Sequence, residues 1–303
     1  MRIVSLLPSA TELLFAIGAG DEVVGVTHEC DHPAAARALP AVTANLLDHQ
    51  RQPPATIDRH ITRARHDGSS IYALDSAALE DLRPDLIVTQ ELCDVCAVAF
   101  RDVAAAVRRL PGSIEVLSLE PSSLRDIVST VTTLGEATGH DAEASVLATS
   151  MGERIAGAER DPRQQPEPAV VCVEWTDPVM AGGHWVPEMV RLAGGRDPLG
   201  AEGEPSRYVE WDAVLEARPD VMVLMPCGFG LDRTLELAPE ITGRPRFDEL
   251  PCAQAGRVAA VDGSAFFNRP GPRIVDWLDM LAAILDGEPG GPLPRGAAWV
   301  SVG

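Results

Sequence analysis

The chain has 303 residues and is 46% hydrophobic, long enough for two domains that each bury a core. Its 25 Lys and Arg against 45 Asp and Glu leave a net charge of −20. That balance disfavours nucleic acid and anionic membrane surfaces, which both require clustered cations.

From the N-terminus, Arg2 leads directly into IVSLLPSATELLFAIGAG, an apolar run broken by Pro8, Ser9, Thr11 and Glu12. It has the features of neither a secretory signal nor a lipobox, so the expected location is the cytoplasm. No stretch reaches the roughly 18 apolar residues of a membrane span. Residues 2–7 read as a strand and PSATE as a helix start, with Ser9 or Thr11 as the cap. VVGVT (23–27) is the next strand, followed by an amphipathic helix over 76–82, a break at Pro84 and a buried strand over 85–90. Residues 95–110 alternate at helical period, and 115–119 form another strand. Such βαβα order argues a parallel sheet with helices on both faces. A long helical segment follows over 123–158, which Gly139 either kinks or divides, and 161–168 form a turn or linker. Strands are expected again over 169–175, 217–226 and 256–263, with helices in WVPEMVRLAGG and from about 272 to 285.

The architecture expected is therefore α/β: a lobe over 1–121, a connecting helix over 122–160, and a second lobe over 161–303. LRPDLIVTQ and ARPDVMVLMP form a weak internal repeat in which Arg-Pro-Asp precedes a buried strand and then a Cys-bearing loop. Ligands of open α/β sheets bind beyond the carboxyl ends of strands. Four cysteines follow such ends: Cys30 in THEC, Cys93 and Cys96 in QELCDVC, and Cys227 in MPCGF. In a reducing compartment these are metal ligands or reactive groups sooner than disulfide halves. Together they would supply an iron–sulfur cluster or a zinc ion, with His28 and His184 as further candidates. The C-x-x-C spacing also suits a redox pair or two ordinary thiols, and the set could instead ligate a bound cobalt. His28 and Cys30, two apart, would share one side of an extended loop end. Cys172 alternates with core residues, Cys252 reads as a loop residue, and His32, His49, His60, His66 and His140 lie in polar stretches as solvated groups. No G-x-x-x-x-G-K-[ST] loop and no G-x-S-x-G elbow occurs, which speaks against an ATPase or a hydrolase.

The segments SLLPSATELLFAIGAGDEVVGVTHECDHP, LRPDLIVTQELCDVCAV, VEWTDPVMAGGHWVPEMVRLAGG, MPCGF and VDGSAFFNRPGPRIVDWL run nearly the whole chain. In these segments the chain resembles the substrate-binding proteins of iron–siderophore and vitamin B12 ABC importers, the cobalamin-binding group among them. The resemblance implies two Rossmann-like lobes, a rigid helix between them, and a ligand such as cobalamin clamped in an interlobe cleft. It implies importer membrane subunits as partners if the protein is exported. Carried over residue by residue, it points to Ser9, Thr11, Tyr72, Glu174, Trp175, His184, Trp185, Ser206, Arg207, Phe267, Asn268 and Arg269 as ligand contacts. The flat rings of Trp175 and Trp185 suit a corrin or another large planar ligand, or else fill the gap between sheet and helix. Arg269 and Arg273 would hold an anionic group, or pin the last helix through carboxylates such as Asp276. The rival reading is a cytosolic iron–sulfur or zinc metalloprotein, or an enzyme, that reuses this fold.

Overall fold

A computed structural model describes residues 1–47, 50–67, 71–90, 103, 106–108, 113–160 and 167–302. The chain forms two compact units, Met1–Pro121 with Asp126–Ser150, and Ser122–Arg125 with Met151–Gly303.

The first unit is built on four parallel strands in the order β2-β1-β5-β6. These are β1 (Ile3–Ser5), β2 (Val23–Val26), β5 (Leu86–Thr89) and β6 (Glu115–Ser118). The short apolar strands β1 and β5 are buried throughout, as a parallel sheet covered on both faces requires. A separate antiparallel pair joins β3 (Thr43–Asn45) to β4 (Tyr72–Leu74). Helix α1 (Pro8–Ala16) begins with Pro8 in its first turn, and no side chain caps it. Ser9 and Thr11 are thus helical residues and not caps, because a proline lacking an N–H already fits the first helical position. Helix α2 (Pro54–Asp67) precedes β4, and α3 (Ser76–Leu82) follows it, capped by Asp75, which accepts from the N–H groups of Ala77 and Ala78.

The long helical segment is two helices, α4 (Leu124–Thr138) and α5 (Asp141–Ala158). Gly139 divides them at φ +75°, a left-handed conformation that a glycine adopts without steric cost. The break also seats His140, whose Nε2 lies 2.8 Å from Glu22 Oε1. His140 is therefore a half-buried, paired residue and not the solvated one expected. That pairing holds the Glu22 carboxyl below its ordinary range.

The second unit carries a six-stranded sheet in the order β12-β11-β10-β7-β8-β9. Its parallel centre is β7 (Val170–Thr176), β10 (Val221–Leu224) and β11 (Val258–Val261). Antiparallel strands flank that centre: β8 (Val179–Ala181) and β9 (Arg207–Tyr208) on one side, β12 (Ala297–Trp299) on the other. Helices α6 (Val186–Leu192), α7 (Trp211–Ala217), α8 (Leu231–Thr242), α9 (Pro251–Gln254) and α10 (Ile274–Asp286) complete it. One sheet face buries Val171, Val173, Met222, Leu224, Val258 and Ala260 against Ala238, Ile241, Phe247 and Leu250. Each large aliphatic side chain so buried contributes about 1.5–3 kcal/mol. Cys252 sits in α9 inside this cluster rather than in a loop, and burial pushes its thiol up to about 12.

The internal repeat is a repeat of geometry. Arg83 ends α3 at φ 45° and Arg218 ends α7 at φ 44°. Pro84 and Pro219 follow, and each Asp then clamps the strand next door. Asp85 Oδ2 accepts from the Arg2 N–H at 2.7 Å, and Asp220 Oδ2 from the Ala169 N–H at 2.8 Å. The backbone returns the bond in both cases, from Asp85 N–H to Arg2 C=O and from Asp220 N–H to Ala169 C=O. These corners start β5 beside β1 and β10 beside β7.

Candidate functional site

In the second unit, β7 leads past its carboxyl end into the β8 hairpin and on to Gly182-Gly183-His184-Trp185. Glu174 is half-buried on β7, and its Oε2 accepts a 2.6 Å bond from Ser206 Oγ. Ser206 Oγ in turn accepts from the Gly183 N–H at 3.1 Å. Burial raises the Glu174 carboxyl above its ordinary range, against the opposing pull of these hydrogen bonds. Cys172, two residues earlier on β7, is fully buried, and its thiol is pushed well up by burial, with Asp197 and Glu174 adding to the effect. Asp197 Oδ1 accepts from the N–H groups of Leu199 and Gly200, and burial raises that carboxyl too.

Gly183 permits this closeness. A Cβ there would stand 2.3 Å from Ser206 N and 2.6 Å from Glu204 O, which is backbone and has no room to yield. His184 adopts φ 53° and is held on both sides by backbone, its N–H on Glu204 C=O at 2.6 Å and its C=O under the Gly203 N–H at 2.9 Å. A non-glycine residue held in this region marks a local structure that over-determines it. Its Nδ1 is buried without a protein partner, and desolvation lowers its pKa, so the ring is neutral near pH 7. The imidazole tilts against Trp185, with centroids 5.7 Å apart.

Trp175 is buried and stacks on Phe229 at 5.5 Å, and its Nε1 has no protein partner. Trp185 donates from Nε1 to Phe267 C=O at 3.1 Å, and Phe267 is fully buried edge-on to Trp277 at 3.8 Å. The rings of Trp185 and Phe267 are thus packed into the unit, where they fix the loop after β11. Asn268 donates to Met225 C=O and Gly263 C=O, tying that loop to the end of β10. Arg269 is buried with Nη2 3.4 Å from Ser264 Oγ. Arg207 donates to Leu199 C=O and holds the loop before β9. Asp276 is paired with Arg154, and Arg273 lies over the Phe266 ring, so the last helix is not pinned by Arg273 through Asp276. Cys227 is half-buried, and its N–H bonds Glu174 C=O.

In the first unit, Cys30 Sγ is buried 3.1 Å from Thr11 Oγ1 and 3.4 Å from Thr27 Oγ1, and the Thr11 hydroxyl also bonds Ser5 Oγ at 2.8 Å. The loop after β2 turns, with the Cys30 N–H on Thr27 C=O, so it is not extended. His28 and Cys30 therefore do not share a side. His28 Nδ1 lies 2.7 Å from Thr43 Oγ1, its Nε2 lies 3.3 Å from Glu29 Oε1, and its ring meets Tyr72 at 5.4 Å. Ser9 is buried in the first turn of α1. Cys93 and Cys96 lie outside the described residues. Among the described residues no three His, Cys, Asp or Glu side chains converge as a metal site would require.

Sequence reasoning missed Gly183, Asp197, Thr27 and Thr43. The Gly-Gly pair before His184 carried a signal, since paired glycines in a strand exit mark close backbone approach.

The periplasmic binding protein family model matches residues 3–265. The vitamin B12-binding protein of Photorhabdus laumondii is 24% identical over 227 residues, covering 74% of this chain and 70% of that protein. Among solved structures, the periplasmic vitamin B12 binding protein BtuF of Vibrio cholerae superposes with a TM-score of 0.67 at 21% identity, over 94% of this chain and 96% of that one. A periplasmic heme binding protein from Pseudomonas aeruginosa gives a TM-score of 0.70 at 22% identity, over 99% and 98%. At such identities the structures share the fold. With 263 consecutive positions under one family model and two α/β units of the same make, the chain belongs to the periplasmic binding protein family.

Proposed function

We propose that this protein is a solute-binding component that captures a cobalamin-class corrinoid for delivery to an ABC importer. The observation that carries the reading is the cluster near the carboxyl end of β7. There the Glu174–Ser206 pair and the neutral His184, held at φ 53°, come together at the exit of the strand. A buried polar atom without a partner and a left-handed non-glycine residue away from a helix end are each a reason to look for a ligand, and His184 has both. The relative named as a vitamin B12-binding protein supports the corrinoid. In this mechanism the protein does no bond chemistry: polar loop groups orient the ligand and apolar walls cover it.

A second reading, an iron porphyrin, draws on one specific observation, the buried His184 Nδ1 with no protein partner. A neutral imidazole is a good ligand for iron. Titration of the purified protein with cyanocobalamin and with hemin, followed by absorption and calorimetry, separates the two. Saturable corrinoid binding supports the proposal; hemin binding with a ligand-field change, and no corrinoid binding, replaces it.

The thiolate centre stands apart from this reading. Cys30 and His28 are already engaged by Thr11, Thr27 and Thr43. Stoichiometric zinc, or iron with sulfide, lost on replacing Cys93 and Cys96 by Ser, would establish it. An importer role places the protein outside the cytoplasmic membrane, opposite to the cytoplasmic location expected from the sequence, and cell fractionation decides between them.

A further inference from the structure

Glu174 is expensive to keep where it is. Among the described residues its side chain is hydrogen-bonded by the neutral Ser206 hydroxyl, which itself accepts from the Gly183 N–H, and no cation is paired with it. An Arg-paired carboxylate there would cost less, because a charge withdrawn from water needs an opposite charge close by. Neither neighbour supplies a positive charge: Cys172 is a buried thiol, and the His184 ring is neutral. Glu174 as a residue is half-buried rather than sealed in the core. An ionised carboxylate only accepts hydrogen bonds, and each oxygen has more than one lone pair to offer. A ligand that brings N–H donors to this point completes its shell; one that brings a carboxylate sets two like charges together in a poorly solvated place.

We propose that Glu174 is a specificity-determining residue that favours a macrocycle fringed with carboxamides over one fringed with carboxylates. The inference rests on the corrinoid reading above and deepens it: a corrinoid carries primary amides around its ring, whereas heme ends in propionates. Rejection of the wrong ligand by a buried group left badly paired is the stronger half of such discrimination. Ser206 is the positioning residue, since its hydroxyl donates to one carboxylate oxygen, Oε2, at 2.6 Å; the ligand would take the other.

The test compares two ligands that share one corrin: cyanocobalamin, and a monocarboxylic acid derivative with one peripheral amide hydrolysed. Affinities are measured by calorimetry for the wild type, Glu174→Gln and Glu174→Asp. The wild type should prefer the amide by about tenfold, equivalent to about 1.4 kcal/mol. Glu174→Gln, nearly isosteric and still able to accept from Ser206, should lose that preference, and Glu174→Asp should keep most of it. An unchanged ratio in Glu174→Gln, or equal affinities in the wild type, overturns the role of Glu174 while leaving the corrinoid reading intact. Wild-type protein that binds neither compound overturns the corrinoid reading and this role with it. Should Glu174→Gln fail to fold, the wild-type ratio alone still decides.

Discussion

Gly183→Ala is the sharpest probe of how the candidate site is held. The added Cβ would stand 2.3 Å from Ser206 N, 2.5 Å from Pro205 C and 2.6 Å from Glu204 O. All three are backbone atoms, so no rotamer change relieves the clash. The segment over 204–206 must move, and with it the Gly183-to-Ser206 and Ser206-to-Glu174 bonds and the His184 N–H bond to Glu204. Overpacking of this kind costs about 1–3 kcal/mol. The coupled hydrogen bonds contribute about 0.5–1.5 kcal/mol each, and they break together. The expected loss is therefore at least about 2.5 kcal/mol, the sum of the lower ends for the clash and the three bonds, and a large share of a typical domain's stability. The assay is denaturant unfolding of the full chain followed by tryptophan fluorescence, with Gly152→Ala as the control. Gly152 lies in α5 with open space around its would-be Cβ, so alanine there should gain about 0.5–1 kcal/mol. A Gly183→Ala protein within about 0.5 kcal/mol of wild type would refute the close-approach argument and loosen the case for a rigid His184.

Three further outcomes are expected. Burial holds the folded Glu174 carboxyl above its ordinary range, so the folded state binds this proton more tightly than the unfolded one. The stability it contributes is full below the ordinary carboxylate range and is lost as pH rises through the elevated value. Glu174→Gln should then match wild type near about pH 4 and exceed it near about pH 8 in denaturant midpoint, and a constant difference would contradict the assignment. Phe267→Ala removes a fully buried ring that meets Trp277 edge-on, and should cost about 3–5 kcal/mol in chemical denaturation. Asp220→Ala leaves the half-buried Ala169 N–H unpaired and should cost about 1–3 kcal/mol, whereas Asp85→Ala, at the exposed Arg2 N–H, should cost less; equal losses would deny the difference in burial.

Much of the fold could be read because the central strands are short apolar runs that must be covered on both sides. IVS, LIVT, VVCVEWT and VMVL all became sheet, and the strand ends fell within a few residues of expectation. The elements that escaped had weaker local signals. Helix α2 is polar on most of its surface, so its apolar face is thin. Helix α8 holds Pro239 in its interior, where a proline ordinarily ends a helix; packing of Leu237, Ala238 and Ile241 overrides that preference. Strands β8, β9 and β12 are two or three residues long, too short for an alternating pattern to register.

The site was less legible because its chemistry depends on which way single residues turn. Cys30 and His28 look like a paired ligand set by spacing, yet one backbone bond, from the Cys30 N–H to Thr27 C=O, sends them to different neighbours. Glu174 is singled out in the sequence only by the family resemblance, since its own pattern is that of a strand-end carboxylate. Only the fold shows that its carboxylate is bonded by the Ser206 hydroxyl, that Gly183 lets the Ser206 backbone come close, and that no cation joins them among the described residues. The same corner chemistry, Arg-Pro-Asp, starts β5 and β10, but β7 alone continues into a glycine pair and a left-handed histidine. The two halves thus share a frame and differ in what they hang from it. A shared frame explains why the family is readable from either half, whereas ligand choice must come from the residues that differ. Under the proposed corrinoid reading those residues in the second unit are Glu174, His184 and Ser206, and ligand-binding titrations of their variants should shift before denaturant midpoints do.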